Sequence, residues 1–368
     1  MRVGYSCQLL SEPSFGVSNH VLQLARALAA AADGDRLTFY VRARRDELAS
    51  EASDQHLAPR ATRWRAGRIL WEQLALPRLA REGGLDVYHA PGYVMPLAMG
   101  VPAVATLYDV LAFTHPACCK PANRLHYRLA VPPTVRRARR IVASSRDVRE
   151  RILERFPAAR GKVVVVHPGV EDAFRTPPAP GALEAVRARY GLDAPFALFA
   201  GSREPKKNLG RLVDAFAAAR GRGAVDGELV LAGGAGWGDV LRGREAVPGV
   251  RRLPYVPDRD LPLLYRAARL LAFPSLAEGF GLPVVEAMAS GLPVLCSDVP
   301  ALGDSDPRAA VVVDPRSTDS IAEGLGRLWS DGELRDALRR RGLEASAPFT
   351  WDRAASRTWA LYRELAAS

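Results

Sequence analysis

The sequence predicts an α/β protein made of two parallel-sheet domains in tandem. Three observations carry that expectation. Short, wholly apolar runs such as Phe196–Ala200 and Leu270–Phe273 read as strands buried on both faces, the habit of parallel sheets. Such runs alternate with segments whose apolar residues recur at helical spacing. The alternation then restarts after Pro177-Pro178-Ala179-Pro180-Gly181, the best linker candidate in the chain. At 368 residues the chain is long for one domain and comfortable for two, and 48% apolar content suffices for substantial cores.

In order, Arg2-Val3-Gly4-Tyr5-Ser6 reads as a first strand and not as a signal peptide. A loop follows, then a helix from about Ser18 with Val21, Leu24, Ala25 and Leu28 as its buried stripe. Pro13-Ser14-Phe15-Gly16-Val17 occupies the first crossover, a usual ligand position, but Gly-x-Gly-x-x-Gly spacing is absent. Further strands are expected at residues 37–41, from Asp86, at 103–107, at 141–145 and at 163–166. Helical sequence fills residues 124–140. Between residues 60 and 81, Trp64, Ile69, Leu70, Trp71, Leu74 and Leu76 interleave with six arginines. Such a segment suits an anionic membrane surface; a helix packed on the sheet with solvated arginines is the plainer reading and the favoured one.

In the second half, strand Phe196–Ala200 leads to Gly201-Ser202-Arg203-Glu204-Pro205-Lys206-Lys207-Asn208 and a helix from Leu209. Residues 229–232 form a strand ending at Gly233-Gly234. Arg251 to Pro257 leads into an Asp258-capped helix. Phe349-Thr350-Trp351-Asp352 opens a terminal helix.

The formal charge of +11 asks for an anionic partner: nucleic acid, an anionic membrane or a phosphorylated substrate. No nucleic-acid recognition motif is present, so no nucleic-acid partner is expected. Arginine-rich coding bias accounts for the charge equally well. No run reaches the length of a membrane span. Cys7, Cys118, Cys119 and Cys296 have no metal or disulfide spacing and read as reduced thiols, so a cytoplasmic location is expected.

The most informative stretch is residues 270–298, LLAFPSLAEGFGLPVVEAMASGLPVLCSD. It reads as strand, glycine-bearing loop, short buried helix, strand. Pro283 fits a first helical position and Gly291 a C-terminal cap. The loop Glu278-Gly279-Phe280-Gly281-Leu282 lies at the carboxyl end of the first strand, where open parallel sheets bind ligands. The helix start offers N–H groups and a partial positive charge, which suit phosphate. Gly279 and Gly281 let the backbone approach a ligand. Glu278 and Glu286 frame this loop, one carboxylate suited to sugar hydroxyls and the other to ribose hydroxyls. The plain alternative is a buried helix with ordinary surface glutamates.

Two glutamates eight positions apart around Gly-Phe-Gly resemble the signature of the family-4 retaining glycosyltransferases, of GT-B fold. The resemblance extends over most of the chain. It implies two Rossmann-like domains facing across a central cleft: residues 1–172 for the acceptor, residues 173–350 for the donor, and residues 351–368 as a helix returning to the first domain. It implies that Lys207, before Asn208, binds the donor diphosphate. The family's usual arginine position is Ser202 here, and Arg203 is its candidate replacement. Tyr255-Val256 matches the segment against which the nucleotide base lies, and Gly16 partly matches the glycine loop lining the cleft. Tyr108-Asp109 matches the acceptor side, with Tyr108 where the family commonly has histidine; position is carried over, not role. His115, nearby, is a further acceptor-side candidate.

The expected reaction is transfer of a hexosyl group (mannosyl, rhamnosyl or glucosyl) from a nucleotide-diphosphate sugar to an acceptor hydroxyl, with retention. Glu278, Lys207 and Arg203 are the catalytic candidates. The acceptor is a glycan, a lipid-linked sugar or a small molecule, in cell-surface polysaccharide or glycolipid synthesis. No Asp-x-Asp run appears, so metal independence and no cofactor are expected. Location at the inner membrane face, by peripheral contact with anionic lipid, is compatible with the arginine-rich segment. A nucleotide-sugar epimerase of the same fold and a non-catalytic sugar-nucleotide-binding scaffold remain as alternatives.

Overall fold

In a computed structural model of the chain, residues 1–11, 16–234, 236–244 and 246–368 are described. They form two compact units, Met1–Gly169 with Thr350–Ser368, and Val170–Phe349. In the first unit the strands are β1 (Arg2–Ser6), β2 (Arg36–Val41), β3 (Ser53–Leu57), β4 (Val87–Ala90), β5 (Ala103–Leu107), β6 (Arg140–Ala143) and β7 (Val163–Val165). Among the described residues they make one seven-stranded parallel sheet, ordered β3-β2-β1-β4-β5-β6-β7. In the second unit they are β8 (Phe196–Ala200), β9 (Glu228–Ala232), β10 (Val250–Arg252), β11 (Leu270–Phe273), β12 (Val294–Cys296) and β13 (Val311–Val312). These form a six-stranded sheet, ordered β10-β9-β8-β11-β12-β13.

Both orders reverse direction once. The reversal falls between β1 and β4 in the first unit and between β8 and β11 in the second. Loops leaving two such neighbouring strands diverge to opposite faces, and a crevice opens at their carboxyl ends. Every residue of β8 and of β11 is buried, as their unbroken apolar runs require. Each Leu or Phe so buried stabilises the fold by about 1.5–3 kcal/mol, so these two strands fix the floor of the second crevice firmly.

The first helix, Val17–Ala30, buries Val21, Leu24, Ala25 and Leu28, and also His20. The terminal helix, Trp351–Ala366, is capped by the Thr350 hydroxyl, which accepts the Arg353 N–H at 3.2 Å. Its Trp359 indole donates to the Leu28 carbonyl at 3.1 Å, and Tyr362 meets the buried His89 of β4, whose other ring nitrogen lies 2.8 Å from Thr106. This helix therefore completes the core of the first unit. Gly169 crosses it closely: a Cβ there would lie 2.2 Å from the Trp351 nitrogen.

Several expectations change. Residues 177–181, expected as the linker, lie inside the second unit, after the buried Phe174. Strands β3, β10 and β13 were not anticipated: β3 is polar and half-exposed, and the other two are edge strands of three and two residues. The helix expected after Asp258 begins at Leu261, with Asp260, not Asp258, at its N-cap and no capping hydrogen bond from that side chain. Asp260 instead takes Arg189 at 2.7 Å and the Tyr190 hydroxyl at 2.8 Å. Residues 60–82 are not one helix packed on the sheet but three short pieces, Arg60–Arg63, Arg65–Leu74 and Leu76–Glu82. No residue of the middle piece is fully buried, and Trp64 is 72% exposed. Among the described residues no helix is long and apolar enough to cross a membrane.

Candidate functional site

The site is built where the second sheet reverses. The loop after β8 carries Lys207 and the loop after β11 carries Glu278, so strand order alone brings together residues 71 positions apart. Lys207 Nζ donates to Glu278 Oε1 at 2.7 Å, with side chains only 9% and 7% exposed. The same ammonium stands 4.5 Å over the Phe273 ring at the end of β11. Burial draws the Lys207 ammonium below the ordinary lysine range, against the pull of Glu278. Burial also pushes on Glu278, but the charges of Lys207 and Lys206 outweigh it and hold that carboxyl below its usual range. The ammonium keeps donors beyond the one engaged by Glu278.

Backbone geometry locks these loops together. The Leu276 N–H donates to the Lys206 carbonyl at 2.7 Å. Asn208 sits in the left-handed region at φ 60°, which asparagine tolerates, and its amide donates to the carbonyls of Pro274 at 3.0 Å and Pro315 at 2.6 Å. Its carbonyl accepts from Arg211 at 2.7 Å. Asn208 thus ties three loops and sets the position of Lys207. Gly233, at φ 140°, lies so close to the β8 loop that a Cβ would be 2.1 Å from the Gly201 carbonyl oxygen. Arg203 turns toward that second loop, its guanidinium donating to the Gly233 carbonyl at 3.3 Å. Ser202 is half-buried beside it.

The helix after the glutamate loop runs Leu282–Ala289, so Leu282, not Pro283, is its first residue. Gly281 caps it at φ 103°, and a Cβ there would be 3.1 Å from Val299. Pro283 has no N–H, and Val284 donates to the Gly281 carbonyl at 2.9 Å. Among the described residues the N–H groups of Gly281 and Leu282 have no protein acceptor. These two, with the helix's positive end, are the open donors beside Lys207. Phe280 is buried edge-on against Phe349, 5.2 Å between centroids, which fixes the loop from below. Glu286, on the same helix, accepts the Tyr265 hydroxyl at 3.0 Å. Burial pushes its carboxyl up to about 7, the Tyr265 bond opposing and Glu171 adding to the shift. Tyr255 is 49% exposed and Val256 buried, on the loop after β10.

The remaining candidates belong to the first unit. Gly16 precedes the first helix at φ 53°; Pro13, Ser14 and Phe15 lie outside the described residues. The Tyr108 phenol is buried and donates to the Pro91 carbonyl at 3.0 Å. Asp109 accepts the Tyr93 hydroxyl at 2.9 Å and the Leu111 N–H at 3.0 Å. The His115 Nδ1 lies 3.1 Å from the Thr114 hydroxyl. His20 was not anticipated: its ring packs edge-on against Tyr108 and Trp351, and burial pulls it down to about 3. Tyr265 and Phe273 were visible in the sequence only as core residues, because their role depends on which strand neighbours which.

A positive donor set at one strand's end, facing a helix start and two carboxylates, is suited to a diphosphate with sugars on either side. The model described as Glycosyltransferase Family 4 matches residues 16–174, and that described as Glycosyl transferases group 1 matches residues 184–345. The O-antigen chain mannosyltransferase B of Escherichia coli is 28% identical over 99% of this chain and 100% of its own length. The D-inositol 3-phosphate glycosyltransferase of Xylanimonas cellulosilytica is 31% identical over 77% of this chain and 73% of its own; against another of that name, from Salinispora tropica, the chain spans 52% of the length. Among solved structures, Anabaena Alr3699/HepE in complex with UDP and glucose superposes with TM-score 0.76 at 18% identity, covering 99% of this chain and 100% of that one. On its two family matches, these relatives and its paired parallel sheets, the chain belongs to the family-4 glycosyltransferases and has the GT-B fold.

Proposed function

We propose that this glycosyltransferase moves a hexosyl group, of the mannosyl, rhamnosyl or glucosyl class, from a nucleotide-diphosphate sugar to an acceptor hydroxyl with retention at the anomeric carbon. The observation carrying the proposal is the buried Lys207–Glu278 pair beside the open Gly281 and Leu282 N–H groups. Lys207 and those N–H groups receive the diphosphate and stabilise charge as the bond from the anomeric carbon to phosphate oxygen breaks. The acceptor oxygen bonds to that carbon on the same face, and its proton passes to the departing phosphate. Glu278 orients the sugar and Glu286 the ribose. Arg203 reinforces the loop beside the phosphates, and Tyr255-Val256 line the base. The ammonium supplies the charge compensation, so full activity in excess chelator is part of the proposal. Similarity to an O-antigen mannosyltransferase supports cell-surface polysaccharide or glycolipid assembly as the setting. The test is product analysis by NMR. A transferred sugar of unchanged anomeric configuration supports the proposal; inversion, or epimerised donor without transfer, contradicts it.

Glu286 gives a pH prediction. Its carboxyl titrates near 7 without ligand, whereas ribose hydroxyls donate to the charged form. Donor affinity is expected to rise as pH increases from about 5.5 to 8, and to lose that slope in Glu286→Gln. Calorimetric titration checks this, and an equal slope in both proteins removes Glu286 from the ribose site. For stability without ligand the sign is the opposite. A carboxyl raised on folding stabilises most below its unfolded pKa and loses that contribution as pH rises through about 7.

The proposal includes peripheral contact with an anionic membrane at the inner, cytoplasmic face. Trp64, Leu70, Leu74, Leu125 and Leu129 are each 59–73% exposed, on and beside the helices Arg65–Leu74 and Pro121–Arg137 of the first unit; these carry Arg65 and Arg124, and Arg60 and Arg63 lie on the short turn before the first of them. Apolar side chains set among cations suit an anionic lipid surface. Co-sedimentation with phosphatidylglycerol vesicles is expected, and is expected to fall severalfold in Leu70→Ser/Leu129→Ser. Equal sedimentation of both proteins contradicts membrane contact through this face.

A further inference from the structure

The first unit contains a cavity of about 250 Å³ that no part of the donor site uses. It opens at the carboxyl ends of β1, β2 and β4, marked by Ser6, Arg42 and Ala90 in its wall. That is the crevice beside the reversal of strand order. Its charged lining is Arg42, Arg63, Arg65, Arg68 and a single carboxylate, Glu72. Among the described residues none of the four arginines has a carboxylate within ion-pair distance, and the Arg68 Nε is buried with no hydrogen-bond partner. The cations crowd one another. Arg42 is held below its ordinary range, first by burial and then by Arg68 and Arg45, and burial with Arg65 and Arg68 disfavours the charged form of His126 in the same wall. Glu72 opposes this at Arg42, although burial pushes its own carboxyl up to about 7.

The cavity adjoins the residues assigned to the acceptor. Pro91 in its wall accepts the Tyr108 hydroxyl. Tyr127, also in the wall, packs on Tyr93, centroids 4.8 Å apart, and Tyr93 donates to Asp109. Arg65 is held in place by the Asn123 side-chain carbonyl at 2.9 Å, which leaves further guanidinium donors open. The volume is below the roughly 300–1,000 Å³ of sites for drug-sized ligands, so it fits a headgroup and not a whole acceptor.

We propose that this arginine-lined cavity binds a phosphate or diphosphate group of the acceptor, making the enzyme selective for acceptors that carry one. The proposal rests on the first unit being the acceptor side. Arginine forks match phosphate oxygens two at a time, which also fixes the orientation of the sugar attached. Two sources share this chemistry: a soluble sugar phosphate, and a lipid diphosphate whose tail follows the exposed leucines of the same two helices.

The test is calorimetric titration of inorganic pyrophosphate into the full chain carrying Lys207→Met/Glu278→Leu, which removes the buried pair of the donor site without stranding a charge. One equivalent is expected to bind, and Arg65→Ala/Arg68→Gln added to that background is expected to weaken binding at least tenfold. Absence of binding in the first protein, or equal binding in both, overturns the proposal. Protection of Arg65→Ala/Arg68→Gln by UDP or GDP, equal to that of the unaltered chain, shows that its fold is intact. The donor reading fails separately, if UDP and GDP protect Lys207→Met/Glu278→Leu fully. Geranyl diphosphate binding more tightly than pyrophosphate identifies a lipid source; equal binding of the two identifies a soluble one.

Discussion

Lys207→Ala is expected to lower turnover about 10²–10³-fold, the loss associated with one preorganised electrostatic donor. The structure adds a second consequence. Glu278 has a side chain only 7% exposed, and Lys207 is the partner that keeps it ionised. Removing one member of a buried pair destabilises by about 3–5 kcal/mol, because the remaining charge is left uncompensated. The alanine variant is therefore expected to melt well below the unaltered chain as well as to turn over slowly. Lys207→Met/Glu278→Leu separates the two effects: the melting temperature returns toward its original value while activity stays low. Recovery of activity in the double variant excludes Lys207 from the reaction. Steady-state kinetics alongside differential scanning calorimetry reads both quantities.

Gly233→Ala is expected to have the second largest effect, although this residue meets no substrate in the proposal. Its φ of 140° is one that side-chain-bearing residues rarely adopt, and the added Cβ would lie 2.1 Å from the Gly201 carbonyl. That atom is backbone and cannot swing aside. Relief requires the β8 and β9 loops to separate, and the β8 loop carries Lys207. Strain of this kind costs about 1–3 kcal/mol, so both melting temperature and affinity for a nucleoside diphosphate are expected to fall. Gly221 is the control, because a Cβ there meets nothing within 4 Å. Equal melting of Gly233→Ala and Gly221→Ala contradicts the close packing of the two loops.

What the sequence discloses follows from how local each signal is. Runs such as Leu270–Phe273 announce buried parallel strands, because both faces must be apolar. Ser53–Leu57 is equally a strand, but it lies at the sheet edge and reads Ser-Asp-Gln-His-Leu, a pattern no apolar periodicity reveals. Lys207 and Glu278 each stand out as candidates from local sequence. Their ion pair does not, since it exists only because β8 and β11 are neighbours. Tyr108 directly follows β5, and its hydroxyl is engaged by Pro91, seventeen residues back, a contact set by tertiary packing. The arginines between residues 60 and 81 are conspicuous as a series. The cavity they line also needs Arg42, Asn123 and His126 from other segments, and no spacing rule joins those.

Where the donor's diphosphate rests is tested most directly by a crystal structure of the complex with a non-hydrolysable nucleotide-diphosphate sugar. The prediction is phosphate density within hydrogen-bond distance of Lys207 Nζ and of the Gly281 and Leu282 N–H groups, with sugar against Glu278 and ribose against Glu286. Diphosphate density on any other loop, with Lys207 still paired only to Glu278, contradicts it.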